Sequence, residues 1–236
     1  MSTMTEQIDQ PISRPARFAL HAALAAMGLA LLSGLGNRVG LWDFTVAIPV
    51  FGLSVLSAAG AIILATIGIF RSLRSDRSSL GHSRAATALA LAIGLLGFLA
   101  FQVKDATTYP PIHDITTDTN EPPQFVALLP ARLAAPNGAD YNSENRDTQL
   151  EAYPEIVPLI VSGKNVAIVT SMAQDVAAEL GWEIMEIPPD EGRLEATDTT
   201  FWFGYKDDVV VRVRELNQAI RVDIRSMSRV GVGDIG

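Results

Sequence analysis

Residues 208–228 read DVVVRVRELNQAIRVDIRSMS, and the alternation in this stretch decides how the second half of the chain folds. Val209, Val211 and Val213 share one parity and Ile220, Val222 and Ile224 share another. Two strands, 208–215 and 219–228, therefore each carry an apolar face and a charged face. Burying both apolar sets together requires an even number of turn residues, because a one-residue slip sends every side chain to the other face. With Leu216 and Asn217 as the turn, Arg212 is expected opposite Arg221 and Asp208 opposite Arg225. The face away from the core then carries Asp208, Arg212, Arg214, Arg221, Asp223 and Arg225.

Working outward, 166–169 reads as a strand and 171–180 as a helix that starts at a Thr/Ser cap and stops at Gly181. Strands follow at 182–187 and 193–205, rich in β-branched and aromatic residues. One or two helices with a run of sequential strands predict an α+β domain with a mainly antiparallel sheet. Between 107 and 150, Pro110, Pro111, Pro122, Pro123, Pro130 and Pro136 argue against regular helix or strand, so this segment is expected to wrap over the core. GADYNSENRDTQ (138–149) has no hydrophobic period and reads as a loop.

The first half is physically different. The 236 residues are 48% hydrophobic and 19% charged with a mean hydropathy of +0.24, too apolar for an ordinary soluble chain. Three apolar runs, 18–35, 44–70 and 85–103, are each near or above the roughly 18 to 20 residues that cross a hydrocarbon core of ~30 Å. His21, close to Arg17, reads as interfacial. Arg14 and Arg17 precede the first run, and Arg71, Arg74, Arg77 and Arg84 fill the second link against one Asp76, whereas the first link holds only Arg38 and Asp43. Basic residues stay on the cytoplasmic side. The expected organisation is thus a cytoplasmic N-terminus (1–17), a three-span transmembrane region (18–103) and an exported domain (104–236) outside the cytoplasm. A cleaved signal peptide is the competing reading of the first run, but no clean small-x-small site stands before Asn37. Frequent Gly and Ala in the spans suit close helix packing rather than a pore.

Composition excludes a good deal of chemistry. With no cysteine there is no disulfide framework, thiolate metal site or cysteine nucleophile, and only three histidines remain. No Walker loop, dinucleotide fingerprint or zinc-protease helix occurs, and a net charge of −8 argues against nucleic acid. Residues 104–236 hold eleven Lys+Arg against twenty-two Asp+Glu. HDITTD (113–118) offers His113, Asp114 and Asp118 for an oxygen-ligated metal or acid/base work, and its bland reading is local turn hydrogen bonding. RSMSRVGVGD (225–234) sets Ser226 and Ser228 between Arg225 and Arg229, a setting for an anion, or a sheet-edge ladder of arginines with Asp208, Asp223 and Asp234. A Ser nucleophile with His113 as base requires the wrap to cross this strand end. Phe201, Trp202, Phe203 and Tyr205 read as core packing of a central strand, with an apolar ligand cleft as the alternative.

PPIHDITTDTNEPPQF (110–125), YPEIVPL (153–159), GWEI (181–184), RLEATDTTFWFGYKDDVVVRVR (193–214) and VDIRSMSRVGVGDIG (222–236) occur in this order. Together they resemble the domain of unknown function 1499 family. The resemblance implies a bacterial or plastid-type domain, often behind membrane spans, with no established activity. The functional expectation is a membrane-anchored exported binding or interaction domain with no catalytic residue, metal or cofactor. Its expected partners are the lipid bilayer, an anionic small molecule or lipid headgroup, and an envelope protein. Arg212, Arg225 and Arg229 would hold the anion, with His113 and Asp114 on the rim. The alternative is a hydrolase or metal-dependent enzyme using His113, Asp114 and Asp118 near Arg225 and Arg229.

Overall fold

The three apolar runs form helices that extend past them, at both ends for α1 (Arg14–Arg38) and α3 (Ser79–Ala106) and at the C-terminal end for α2 (Phe44–Arg74). All three are long and apolar enough to cross a membrane. The computed structural model describes residues 14–74, 79–106 and 109–233. The expectations for the first thirteen residues and for Asp76, Arg77 and Asp234 lie outside these. The chain divides into a helical unit, Met1–Lys104 with Trp202–Gly204, and a sheet unit, Asp105–Phe201 with Tyr205–Gly236.

Small residues hold the helical unit together. Ala16, Ala19, Ala23, Ala26 and Ala30 of α1 are buried at alternating spacings of three and four, as are Ser54, Ala58, Ala61, Ala65 and Gly68 of α2. Ala88 and Ala92 of α3 complete the cluster. Helices in lipid gain no hydrophobic drive from meeting, so small side chains that let backbones approach supply the packing. The approach is close at Gly68, where a Cβ would lie 3.3 Å from the backbone of Ala16. Ser54 Oγ donates across the same seam to the Ala26 carbonyl at 2.9 Å. At the α1–α2 link, Trp42 Nε1 donates to Ser33 O at 3.2 Å, and its ring covers Gly36, where a Cβ would sit 2.1 Å from the indole.

The sheet unit is built on β3 (Glu183–Ile184), β4 (Arg193–Thr199), β5 (Lys206–Leu216) and β6 (Ala219–Ser228), antiparallel in that spatial order. Beyond β6 lie β1 (Asp114–Thr116), paired with its C-terminal half, and β2 (Leu159–Val161), paired with its N-terminal half. All these pairs are antiparallel, so the expected α+β class with an antiparallel sheet stands.

The hairpin turn has two residues, as the even count requires, but they are Asn217 and Gln218, not Leu216 and Asn217. Their φ values of 51° and 65° are left-handed, a conformation that suits Asn and disfavours Leu. The register therefore moves by two: Arg212 faces Asp223 and Asp208 faces Met227, while Arg214 faces Arg221. The faces keep their parity. Val209, Val211, Val213, Ile220 and Val222 share one core with Leu194 and helix α6 (Val166–Glu179).

Helix α6 absorbs the strand expected at 166–169. Asn165 caps it by accepting the Ile168 N–H at 2.9 Å, and Val169, Ala173 and Ala177, four residues apart, face the sheet. Gly181, at φ 79°, ends it as expected. The strand expected over 193–205 stops at Thr199, because Thr200 N–H donates to Tyr205 O (2.9 Å) and closes a loop. Phe201 is therefore 88% exposed and not in a core.

The wrap is real and has short regular pieces of its own. Besides β1 it holds α4 (Leu129–Leu133), with Pro130 in its first turn, and α5 (Arg146–Ala152), entered through a 3-10 turn at Ser143–Asn145. The 3-10 turn and the first part of α5 occupy part of the loop expected at 138–149. Phe125 and Leu128 bring the wrap onto Val210 and Met227, on the sheet face opposite α6.

Candidate functional site

Strand alternation puts charge on the face that the wrap covers. Asp208, Arg212, Arg214, Arg221, Asp223 and Arg225 all point there, so most of this charge is taken out of water and has to be paired. The sheet and the wrap satisfy it in four networks: three are closed to the extent that at most one arginine in each reaches solvent, none in the first, Arg229 in the second and Arg193, 3.3 Å from Glu195, in the third, and one is half open, with three arginines that do.

The first closed network is Asp114 with Arg225, both buried, joined at 2.8 and 2.9 Å through both carboxylate oxygens. Arg225 also donates to Pro123 O (3.2 Å) and Ala139 O (3.0 Å) and lies over the Phe125 and Tyr141 rings. Burial, and then the Asp114 charge, push the Tyr141 hydroxyl above its ordinary value. In the second, Asp208 accepts Arg229 at 2.8 Å on each oxygen, Arg132 at 3.3 Å and Thr197 Oγ1 at 2.7 Å. Arg132 is fully buried, and also donates to the carbonyls of Met227 and Ser228. Burial lowers its guanidinium from the ordinary value against the opposing pull of Asp208. The third is Glu195, fully buried, whose carboxylate accepts the N–H groups of Val126, Ala127 and Leu128 at 2.8 to 3.1 Å. Beside these, Gln149 mimics a strand, exchanging hydrogen bonds with Thr116 N–H (3.1 Å) and C=O (2.7 Å).

The half-open network is centred on Asp118. Its Oδ2 accepts Arg221 (2.8 Å), Arg212 (3.1 Å) and Arg214 (3.4 Å), and Oδ1 accepts the N–H groups of Asn120 and Glu121. Asp223 accepts Arg221 Nε at 2.8 Å and Arg212 Nη2 at 3.0 Å from the strand side. Glu121 closes the outside, its Oε2 2.8 Å from Arg214 Nη1. The arginine side chains are 24, 36 and 22% exposed for Arg212, Arg214 and Arg221, and that of Glu121 is 68% exposed. Burial raises the Asp118 carboxyl, but the Glu121 N–H, the Arg221 charge, the Asn120 N–H and Arg212 outweigh it and leave the group below its ordinary value. Three guanidiniums thus share two well-covered carboxylates and one exposed one.

The residues singled out from the sequence are distributed, not gathered. Arg212 lies in the half-open network, Arg225 in the first closed one and Arg229 in the second. Asp114 and Asp118 share the wrap face in different networks. His113 lies immediately before β1, outside its ladder. The wrap does cross the strand end at Ser228, whose N–H donates to His113 O at 2.9 Å. Among the described residues, the two side chains form no hydrogen bond with each other, and no three His, Asp or Glu side chains are grouped to hold a metal ion. Reading the sequence missed Arg132, Glu195 and Glu121. Arg132 is a single charge among apolar neighbours in ALLPARLAA, the available signal of a charge that folding buries, whereas Glu195 stands in RLEAT two residues from Arg193, which pairs with it at 3.3 Å.

No curated protein and no solved structure matches the chain. Residues 114–236, just over half of it, match the family model described as a protein of unknown function, DUF1499, and cover the wrap, the sheet and all four networks. The chain therefore belongs to the DUF1499 family, here joined to three apolar helices.

Proposed function

We propose that this protein is a non-catalytic binding module of a bacterial inner membrane, anchored by α1–α3 with its N-terminus in the cytoplasm and residues after Val103 outside it. Its exported domain takes an anion, a phosphate, sulfate or carboxylate carried by a small molecule or a lipid headgroup, at Arg212, Arg214 and Arg221. The observation that carries this reading is the convergence of three partly exposed guanidiniums on Asp118 within a half that bears twice as many acidic as basic residues. Planar forks bind oxyanions through paired N–H groups, and the exposed Glu121 is the one carboxylate that an incoming anion has to displace from them. Arg225 and Arg229 support the site from behind by fixing the wrap.

Titration of the full-length protein with inorganic phosphate and sulfate, by calorimetry in detergent, tests the binding. Saturable binding that Arg214→Gln weakens supports the reading, and no heat from either anion overturns it. Reporter fusions after Tyr109 test the orientation, and activity only on the cytoplasmic side would reverse it.

A further inference from the structure

Helix α6 turns Val169, Ala173 and Ala177 to the sheet, and it turns a second apolar row to solvent. Ile168, Met172, Val176 and Leu180 follow one another at intervals of four and are 48, 47, 55 and 58% exposed. A helix with one buried face ordinarily carries polar residues there. The row is about 18 Å long at 1.5 Å per residue. Lys164 stands at its start, ahead of the cap Asn165, and Asp175 and Glu179 flank its end. None of these three charges has an ion-pair partner among the described residues.

The row is self-complementary. Turned end for end about Met172, it places Ile168 opposite Val176, Met172 opposite itself, and Lys164 beside Leu180 and Glu179. Rows spaced by four interdigitate with their own kind in the commonest mode of helix packing. The two helix dipoles then run antiparallel, and each basic start meets an acidic end. We propose that a second copy of this chain occupies this face, the two α6 helices packing antiparallel across a two-fold axis at Met172. A bilayer surface is the poorer occupant, because Asp175 and Glu179 border the row and repel anionic headgroups. One helix row is less than the ~800 Å² per partner typical of a free-standing complex. Two copies confined to one membrane by their apolar helices meet at a raised effective concentration, so a small interface suffices. A two-fold contact is also the usual way for identical chains to close an assembly. This interface is independent of the anion site, which lies on the opposite face of the sheet.

The chain has no cysteine, so a single introduced thiol reports on one position. Met172→Cys in the full-length protein, oxidised mildly in membranes, is expected to form a disulfide-linked dimer about tenfold faster than Glu151→Cys on exposed α5, because only the axial residue meets its own copy. Ile168→Cys and Val176→Cys are expected to link to each other when coexpressed. Lys164→Glu should slow the Met172→Cys reaction, and adding Glu179→Lys should restore it. Equal rates at positions 172 and 151 overturn the proposal. So does a dimer by mass that does not link at 172, since the copies then meet elsewhere, and so does charge reversal without effect.

Discussion

Asp114 grips Arg225 with both carboxylate oxygens, at 2.8 and 2.9 Å, and both side chains are out of solvent. The two are 111 residues apart, and their pairing fastens the Pro-rich wrap to the charged face of β6. Removing one member of a buried pair strands the other in a poorly solvating interior. Arg225→Ala is therefore expected to destabilise the full-length protein by about 3 to 5 kcal/mol in denaturant unfolding. A loss well under 1 kcal/mol would show that this pair does not hold the wrap.

The turn between β5 and β6 gives a prediction of opposite sign. Gln218 adopts φ 65° with a side chain that gains nothing from it, directly after Asn217 at 51°. Asn-Gly is the preferred sequence of this two-residue turn, and an ordinary residue in the left-handed region costs roughly 1 to 2 kcal/mol. Gln218→Gly should stabilise the protein by about 1 kcal/mol, allowing for the greater freedom of glycine in the unfolded chain. A decrease in melting temperature would contradict the assigned turn.

Much of the fold was legible because strand parity and span length are properties of the sequence itself. Val211 and Val222 were expected in one core and share it. The three apolar runs were expected as helices, and Gly181 as a helix stop. The register was not legible from parity, since turns at 216–217 and 217–218 bury the same valines. Asn217 belongs to both turns, so the choice falls on its neighbours: Leu216, which the left-handed region disfavours, stays in the strand and Gln218 takes the second turn position. The site was less legible, because the solvent exposure of the arginines depends on where the wrap lies. Arg212, Arg225 and Arg229 look alike in sequence, yet β1 brings Asp114 to Arg225 and the following turn brings Asp118 to Arg212. Arg132 and Glu195 acquire most of their partners through contacts 67 to 96 residues away, although Arg193, two residues from Glu195, also pairs with it.

Asp118 sets a pH dependence. Its folded carboxyl lies below the ordinary value of 3.8, so the unfolded chain binds more protons than the folded one in the interval between the two. Stability from this group is complete above the ordinary carboxylate value and is lost as the pH falls through the lower folded one. Asp118→Asn should therefore reduce stability at neutral pH and flatten its decline in the acid range. The check is a series of denaturant midpoints from neutral to acid. An unchanged acid slope in the variant would mean that other carboxylates carry it.

Glu121 determines how the anion site opens. Of the three carboxylates on the arginine cluster, Asp118 and Asp223 are covered and Glu121 is exposed, so only Glu121 can leave without stranding a buried charge. Its Oε2 sits 2.8 Å from Arg214 Nη1 and 3.9 Å from Arg212 Nη1, where an incoming oxyanion would bind. The hydrogen bond from Arg214, then the charges of Arg212 and Arg214, hold it below its ordinary carboxyl value, so it stays a charged competitor through the neutral range. With Glu121 in place, three cations meet three anions, and Glu121→Gln leaves the cluster with a surplus positive charge. This variant should therefore bind sulfate more tightly than the wild type, with a steeper salt dependence. Sulfate stays ionised through the carboxylate range, so wild-type affinity should rise as the pH falls through the lowered values of Glu121 and Asp118, and the Gln variant should show a smaller rise, from Asp118 alone. If Glu121→Gln and the wild type bind sulfate alike while Arg214→Gln loses it, the arginines hold the anion but Glu121 does not guard them.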